Sequence, residues 1–148
     1  MNDQSPDLAA LNGREYLEAL MQGRGSAPLG ILLSFRLVEV GDGIAVFEGL
    51  PKAEHYNPAR TVHGGWIASI LDSALGCAVH TKLAPGVGYG TVELKVNFVR
   101  AMTEATGPVL CRGEVVHMGR RMATSEGRLL DAAGKLYAHG SCTCMIYE

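Results

Sequence analysis

The chain has 148 residues, of which 47% are hydrophobic, and this is typical of one folded domain and excludes a disordered chain. Its formal net charge of −2 gives no electrostatic argument for nucleic-acid binding. No apolar stretch approaches the roughly 18 residues of a membrane span, and Asp3 and Asp7 are unlike a secretory leader. We therefore expect one domain over 1–148, cytoplasmic, without nucleic-acid or membrane partners.

The first predicted element is a helix within residues 7–23. Leu8, Leu11, Leu17 and Leu20 recur near helical spacing, and the Gly- and Pro-containing segment 23–30 ends the pattern. We assign residues 1–29 to an N-terminal helical extension.

Two strand-like runs follow, over 31–40 and 44–50. Gly41, Asp42 and Gly43 lie between them and are good turn formers, so the runs predict an antiparallel hairpin. A polar segment over 51–61 then predicts a loop.

A long helix is predicted next, because apolar residues recur at steps of three and four from Trp66 to Val79. Its circumference is almost continuously apolar, which indicates burial on more than one side. One stripe is different, and it consists of Gly65, Ala68, Ser69, Asp72 and Gly76. A buried carboxylate such as Asp72 needs a partner, a solvent opening or a chemical task, and the pattern alone leaves a structural pairing equally open.

The helix is preceded by His63, and Gly64 and Gly65 follow. First-turn amides have no partner within the helix and carry the positive end of its dipole, so they could polarise a carbonyl oxygen. Glycines leave room for such an approach, although a plain helix start gives the same pattern.

The second half is strand-like throughout. Residues 89–100 alternate Val92, Leu94, Val96 and Phe98 with polar residues, and three more runs at 109–118, 120–130 and 135–147 are separated by Gly119 and by the segment 131–135. This order predicts an α+β fold in which one antiparallel sheet wraps around the long helix.

The four cysteines show no CxxC spacing, which favours reduced thiols. His139, Cys142 and Cys144 lie close in sequence, but an alternating strand of this kind is more often core than a metal site, and we expect no metal.

The segments NPARTVHGGWIASILDSALG (57–76), GTVELKVNFVR (90–100) and VVHMGRRMATSEGRLLDAAGKLYAHGSCTCMI (115–146) resemble the PaaI-like hotdog-fold acyl-CoA thioesterases. The HGG sequence, the acid nine residues after its histidine and the later strand agree in order and spacing. The resemblance covers residue 30 to the C-terminus. It implies a hotdog fold, homodimers with a continuous sheet and active sites at their interface, and further association into a dimer of dimers.

The resemblance also implies roles for individual residues. Asp72 corresponds to the general base toward water or, in an alternative mechanism, the nucleophile, and the Gly64 N–H to the group that polarises the carbonyl. Asn57 and His63 correspond to residues beside the thioester, and Thr91 to one that orients the water.

Substrate contacts are expected at Gly65, Trp66 and Ser69. Arg120 and Arg121 are candidates for the coenzyme A phosphates, with solvated hairpin charges as the alternative. Strand alternation would turn only one of the two arginines toward a ligand.

The predicted function is hydrolysis of an aromatic or short- to medium-chain acyl-CoA, with coenzyme A as part of the substrate and no separate cofactor. A hotdog hydratase or dehydratase and a non-catalytic acyl-CoA-binding module are the alternatives. His63, before the helix, suits the hydratase poorly, and Asp72 argues against a silent module.

Overall fold

The computed structural model describes residues 7–25 and 27–148, so the remaining part of the predicted extension lies outside it. Three α-helices are formed: α1 (Gly13–Met21), α2 (Pro28–Leu33) and α3 (Gly64–His80). The strands are β1 (Phe35–Gly41), β2 (Ile44–Gly49), β3 (Gly88–Phe98), β4 (Val109–Met118), β5 (Met122–Asp131) and β6 (Leu136–Tyr147). They form one six-stranded antiparallel sheet in the order β1-β2-β4-β5-β6-β3. The α+β prediction is confirmed.

Helix α3 lies in the centre of this sheet and contacts every strand. Its apolar residues, including Ile70, Leu71 and Leu75, are fully buried, as the almost continuous apolar circumference predicts. From the sheet side the core is completed by Phe47, Cys111, Leu129 and Cys142. The Ser125 hydroxyl donates a hydrogen bond to the Leu75 carbonyl oxygen at 3.0 Å, so this buried polar group is satisfied.

The N-terminal helix begins later than its apolar spacing suggests. Leu8–Ala10 form a short 3₁₀ turn, and α1 starts at Gly13 because Asn12 caps it. The Asn12 side chain accepts a hydrogen bond from the Glu15 N–H at 2.9 Å, and the Glu15 carboxylate accepts one from the Asn12 N–H at 3.0 Å. This reciprocal capping box fixes the helix start.

The prediction of a strand over 31–40 is wrong for its first four residues. Pro28 opens helix α2, which continues to Leu33, and Ser34 ends it in the left-handed region with φ of 58°. A proline in the first turn and a left-handed residue after the last are ordinary helix boundaries. Ile31 and Leu32 are consequently exposed, and the strand starts at Phe35.

Strand β3 forms one edge of the sheet and departs from the predicted alternation. A bulge between Thr91 and Glu93 leaves Val92 56% exposed, and Phe98 is 57% exposed at the end of the strand. Only Leu94 and Val96 of the predicted apolar set pack toward the core.

The predicted hairpin turns are confirmed, with Gly43 and Gly134 at positive φ in the β1–β2 and β5–β6 turns. The four cysteines are free thiols. None of the described helices is long and apolar enough to cross a bilayer.

Candidate active site

Asp72 lines a cavity of about 560 Å³. The residue is half-buried, and its Oδ1 atom is buried without a hydrogen bond to any described residue. An unpaired buried acceptor costs about 1–3 kcal/mol, so such a group is expected to have a use that compensates for the cost. The structure therefore answers the question that the sequence left open, since Asp72 has no structural partner among the described residues.

Three neighbours surround Asp72 along the α3–β3 contact. Gly76 allows β3 to approach closely, because a Cβ atom there would lie 3.2 Å from Cε2 of Tyr89 and 3.9 Å from Oγ1 of Thr91. Thr91 lines the same cavity as Asp72, and its hydroxyl also lies 3.9 Å from Sγ of Cys144. The small-residue stripe thus admits strand β3, and two predicted site residues, Asp72 and Thr91, are brought together.

Two other polar groups in this cavity stay protonated near neutral pH. Burial raises the pKa of the Cys77 thiol to about 12. Burial also raises the pKa of the Tyr89 phenol, which shares a hydrogen bond with Cys77. Asp72 is the one carboxylate among the described residues that line the cavity.

The start of α3 carries backbone N–H groups close to the surface. His63 is the N-cap, and its Nδ1 accepts a hydrogen bond from the Gly65 N–H at 2.7 Å. The Gly64 N–H has no hydrogen-bond partner within the described part of the chain. The Phe98 ring covers Gly64, since a Cβ atom on that glycine would lie 3.2 Å from the ring. The half-buried Gly64 therefore lies beside an exposed aromatic ring.

Asn57 belongs to a tight turn that precedes α3. Its N–H donates to the Thr61 carbonyl at 2.8 Å, and its side-chain Nδ2 donates to the Thr61 hydroxyl at 3.1 Å. Arg60 occupies the left-handed region within this turn, with φ of 63°. Both hydrogen bonds place Asn57 near the start of α3 together with His63 and Gly64.

The predicted site residues consequently form two groups within one chain. Gly64 precedes Asp72 by eight residues along one helix, which corresponds to about 12 Å at 1.5 Å per residue. The cavity at Asp72 is lined by Thr91 but not by Asn57, His63 or Gly64. This spacing is too large for one carbonyl group to contact both groups of residues directly.

Trp66 and Ser69 make contacts within the fold. Trp66 is 3% exposed, stacks on His55 with ring centroids 5.5 Å apart, and donates from Nε1 to the Leu33 carbonyl at 2.7 Å. The Ser69 hydroxyl donates to the Gly65 carbonyl at 2.7 Å. Neither residue lines the cavity at Asp72, so the structure does not bring these two candidates to it.

Arg120 and Arg121 both lie in the β4–β5 turn, ahead of Met122. Both are exposed, and together they line a second cavity of about 410 Å³ with the C-terminal residues 145–148. The expectation that only one arginine faces a ligand assumed that both lie in a strand, where side chains alternate. Because both lie in a turn, that assumption is wrong. The Arg121 carbonyl accepts a hydrogen bond from the Ile146 N–H at 2.9 Å, which fixes the turn against β6.

Comparison with known proteins identifies the family. The sequence profile described as the thioesterase superfamily matches residues 59–138, more than half of the chain. The chain belongs to the thioesterase superfamily. It is a thioester hydrolase, and the predicted resemblance to PaaI-like hotdog enzymes is confirmed.

The thioesterase has relatives among both sequences and solved structures. A provisionally named esterase of Archaeoglobus fulgidus is 32% identical over 109 residues, which cover 72% of this chain and 67% of the relative. Human acyl-coenzyme A thioesterase 13 is 27% identical over 133 residues, 88% of this chain and 91% of that protein. A variant of the phenylacetic acid degradation protein PaaI from Thermus thermophilus has a TM-score of 0.73 and 27% identity, covering 80% of this chain and 98% of that one.

Sequence reasoning missed several parts of the thioesterase's cavity. Tyr89, Ser73 and Cys77 line it together with Asp72, and helices α1 and α2 also contribute to its lining. Tyr89 falls at the start of a strand, where no periodic pattern marks it. The contribution of α1 and α2 has no local signal, because it depends on how the N-terminal segment packs against α3.

Proposed function

We propose that the protein is an acyl-CoA thioesterase in which Asp72 activates the attacking water. The observation that carries this proposal is the buried, unpartnered Oδ1 of Asp72, which lines the same cavity as Thr91. Membership of the thioesterase superfamily and the likeness to acyl-coenzyme A thioesterase 13 support the substrate class.

In the proposed reaction, Asp72 accepts a proton from water as the water oxygen attacks the thioester carbonyl carbon. The Thr91 hydroxyl orients that water. The carbonyl oxygen becomes negative and is stabilised by the Gly64 N–H at the positive end of α3. Collapse of the tetrahedral intermediate breaks the carbon–sulfur bond, and the coenzyme A thiolate takes up a proton. Direct attack by the Asp72 carboxylate, followed by hydrolysis of the anhydride, is the alternative for the first step.

The separation between Gly64 and Asp72 leads to the second part of the proposal. Since about 12 Å of helix separates them, one thioester can be served by both only if they come from different protomers. We therefore place Asp72 and Thr91 of one protomer against Asn57, His63, Gly64 and Gly65 of its partner in a homodimer, with further association into a dimer of dimers. Ser69 and Trp66 hold the start of α3 in place through their contacts within the fold. No cofactor takes part, because coenzyme A arrives with the substrate.

The test uses Asp72→Asn and an acyl-CoA panel with benzoyl, phenylacetyl, short and medium aliphatic groups. Asparagine keeps the shape of aspartate but cannot act as a base, so kcat should fall by about 10²-fold or more while the melting temperature is retained. Thiol release and thermal unfolding are measured on the same preparation. Asp42→Asn is the matched control, since Asp42 lies in the β1–β2 turn and does not line the cavity.

Two results would contradict the proposal. A stable Asp72→Asn protein with full turnover would remove Asp72 from the mechanism. A wild-type protein that releases thiol from no member of the panel would reject acyl-CoA hydrolysis itself, and hydration of an enoyl-CoA would then be assayed.

A further inference from the structure

The cavity at Asp72 has a wall that comes from outside the part of the chain matching the superfamily. Helices α1 and α2 both precede the matched segment, residues 59–138. We call this surface the N-terminal wall, and it consists of Leu17, Leu20, Met21 and residues 28–31. The wall therefore lies outside the segment that the superfamily profile matches.

The N-terminal wall is anchored at both ends. At the start of α1, the Gly13 N–H donates a hydrogen bond to the Leu83 carbonyl at 2.9 Å, next to the end of α3. At the end of α2, the Leu33 carbonyl accepts the hydrogen bond from Trp66 at 2.7 Å. Because the anchors belong to the long helix and the segment following it, the wall has a defined position relative to Asp72.

The lining of the cavity combines a few polar side chains with many apolar ones. Its polar side chains near α3 and β3 are Asp72, Ser73, Tyr89 and Thr91. Strands β1 and β2 add Phe35, Leu37 and Phe47, and the two phenylalanine rings meet edge to face at 6.0 Å. Its volume of about 560 Å³ lies within the range of ligand pockets, about 300–1,000 Å³. Such a lining fits a ligand with one reactive polar group and an apolar tail.

The charges around the cavity disfavour an acyl chain that ends in a carboxylate. Among the described lining residues the one cation is Arg36, and its guanidinium lies 3.2 Å from the Glu48 carboxylate. That side chain is 75% exposed, at the rim of the cavity. A carboxylate at the far end of an acyl chain would be buried, and no cation in the described lining would be free to pair with it. Such burial is unfavourable.

We propose that this cavity is the acyl slot of the enzyme, that the N-terminal wall limits acyl length, and that Leu20 is a specificity-determining residue. The preferred substrate class is an uncharged aliphatic acyl thioester whose chain extends from the carbonyl at Asp72 to α1. This inference rests on the proposed thioesterase function. Leu20 is the position to vary because it is half-buried and lies between Leu17 and Met21 in the wall.

The experiment measures kcat/KM on butanoyl-, hexanoyl-, octanoyl- and dodecanoyl-CoA, with adipoyl-CoA as the acidic match of hexanoyl-CoA. For the wild type, each added methylene that reaches apolar surface should raise kcat/KM by about fourfold until the wall is reached. Hexanoyl-CoA should exceed adipoyl-CoA by about tenfold or more.

Two variants at Leu20 should change the maximum acyl-chain length in opposite directions. Leu20→Trp fills the slot, so it should lower kcat/KM on dodecanoyl-CoA about tenfold and leave butanoyl-CoA within about twofold. Leu20→Ala removes the end of the slot and should shift the preferred length upward. Leu32→Trp is the matched control, because Leu32 lies on α2, is 71% exposed and does not line the cavity.

The outcomes separate this inference from the function on which it rests. An active wild type whose length profile is unchanged, or scaled equally at all lengths, in both Leu20 variants overturns the slot assignment alone. If Leu20→Trp does not fold, Leu20→Ala decides, since an unshifted profile in that variant overturns the inference equally. Absence of thiol release from the whole panel by the wild type overturns the thioesterase proposal.

Discussion

Two small residues decide how closely α3 approaches its surroundings. Gly76 faces β3 and lets Tyr89 and Thr91 lie beside Asp72, as described above. Gly113 on β4 faces the opposite side of the helix, where a Cβ atom would lie 2.6 Å from the Ala74 carbonyl carbon. The contact at Gly113 is with backbone, which cannot rotate away, so the helix position depends on the absence of that side chain.

Gly113→Ala is expected to destabilise the protein by about 1–3 kcal/mol, because helix and sheet must separate to admit one methyl group. Urea unfolding measures the change. Gly88→Ala is the control in another strand, since the nearest atom to its Cβ position is 4.0 Å away, and it should shift stability by less than about 0.5 kcal/mol. Equal effects of the two substitutions would show that the contact with Ala74 is not limiting.

At the scale of one element, the β4–β5 hairpin presents two arginines on a turn that is tied to β6. Arg120 and Arg121 line the cavity next to the C-terminal residues and away from Asp72. Guanidinium groups bind phosphate oxygens well, and a phosphate site remote from the thioester would hold substrate and transition state equally.

Arg120→Ala and Arg121→Ala are therefore expected to raise KM for acyl-CoA several-fold with little change in kcat. Raising the salt concentration should weaken wild-type binding in the same way. Arg14→Ala serves as the control, because Arg14 is exposed on α1 and pairs with Glu18. An unchanged KM in both hairpin variants would reject phosphate binding at this turn.

At the scale of the whole molecule, the proposed mechanism joins the two groups of site residues across two protomers. Strand β3 is an edge of the sheet and carries exposed Val92 and Phe98, the latter directly over Gly64. Edge strands with unpaired backbone groups favour pairing with another chain. Pairing at this edge would cover the start of α3 and complete the site.

Complementation between two inactive variants tests this arrangement. Asp72→Asn removes the base, and Gly64→Pro removes the N–H at a first-turn position where proline is tolerated. Each variant alone should be inactive. Refolded together, half of randomly paired dimers are hybrids with one intact site of two, so activity should recover to about a quarter of wild type. No recovery in a mixture with proven subunit exchange, or an active monomer in sedimentation, would contradict a shared site.

The sequence by itself determined the long helix, the hairpin turns and the succession of strands along the chain, although not their order in the sheet. Apolar period, glycines and caps are local signals, so α3 and the turns at Gly43 and Gly134 follow from neighbouring residues alone. The HGG start and Asp72 were candidates from their pattern and the family resemblance, Thr91 from the resemblance alone, and their roles stay predictions.

Only the tertiary structure decided the rest. The apolar run at 31–33 is compatible with a strand or a helix. In the folded chain it is helical, and the Leu33 carbonyl accepts a hydrogen bond from Trp66. Leu20, Asp72 and Tyr89 share one cavity although they are far apart in the sequence, and no local pattern encodes such a meeting. The same holds for the unpaired oxygen of Asp72, because the absence of a partner is a property of the packed chain.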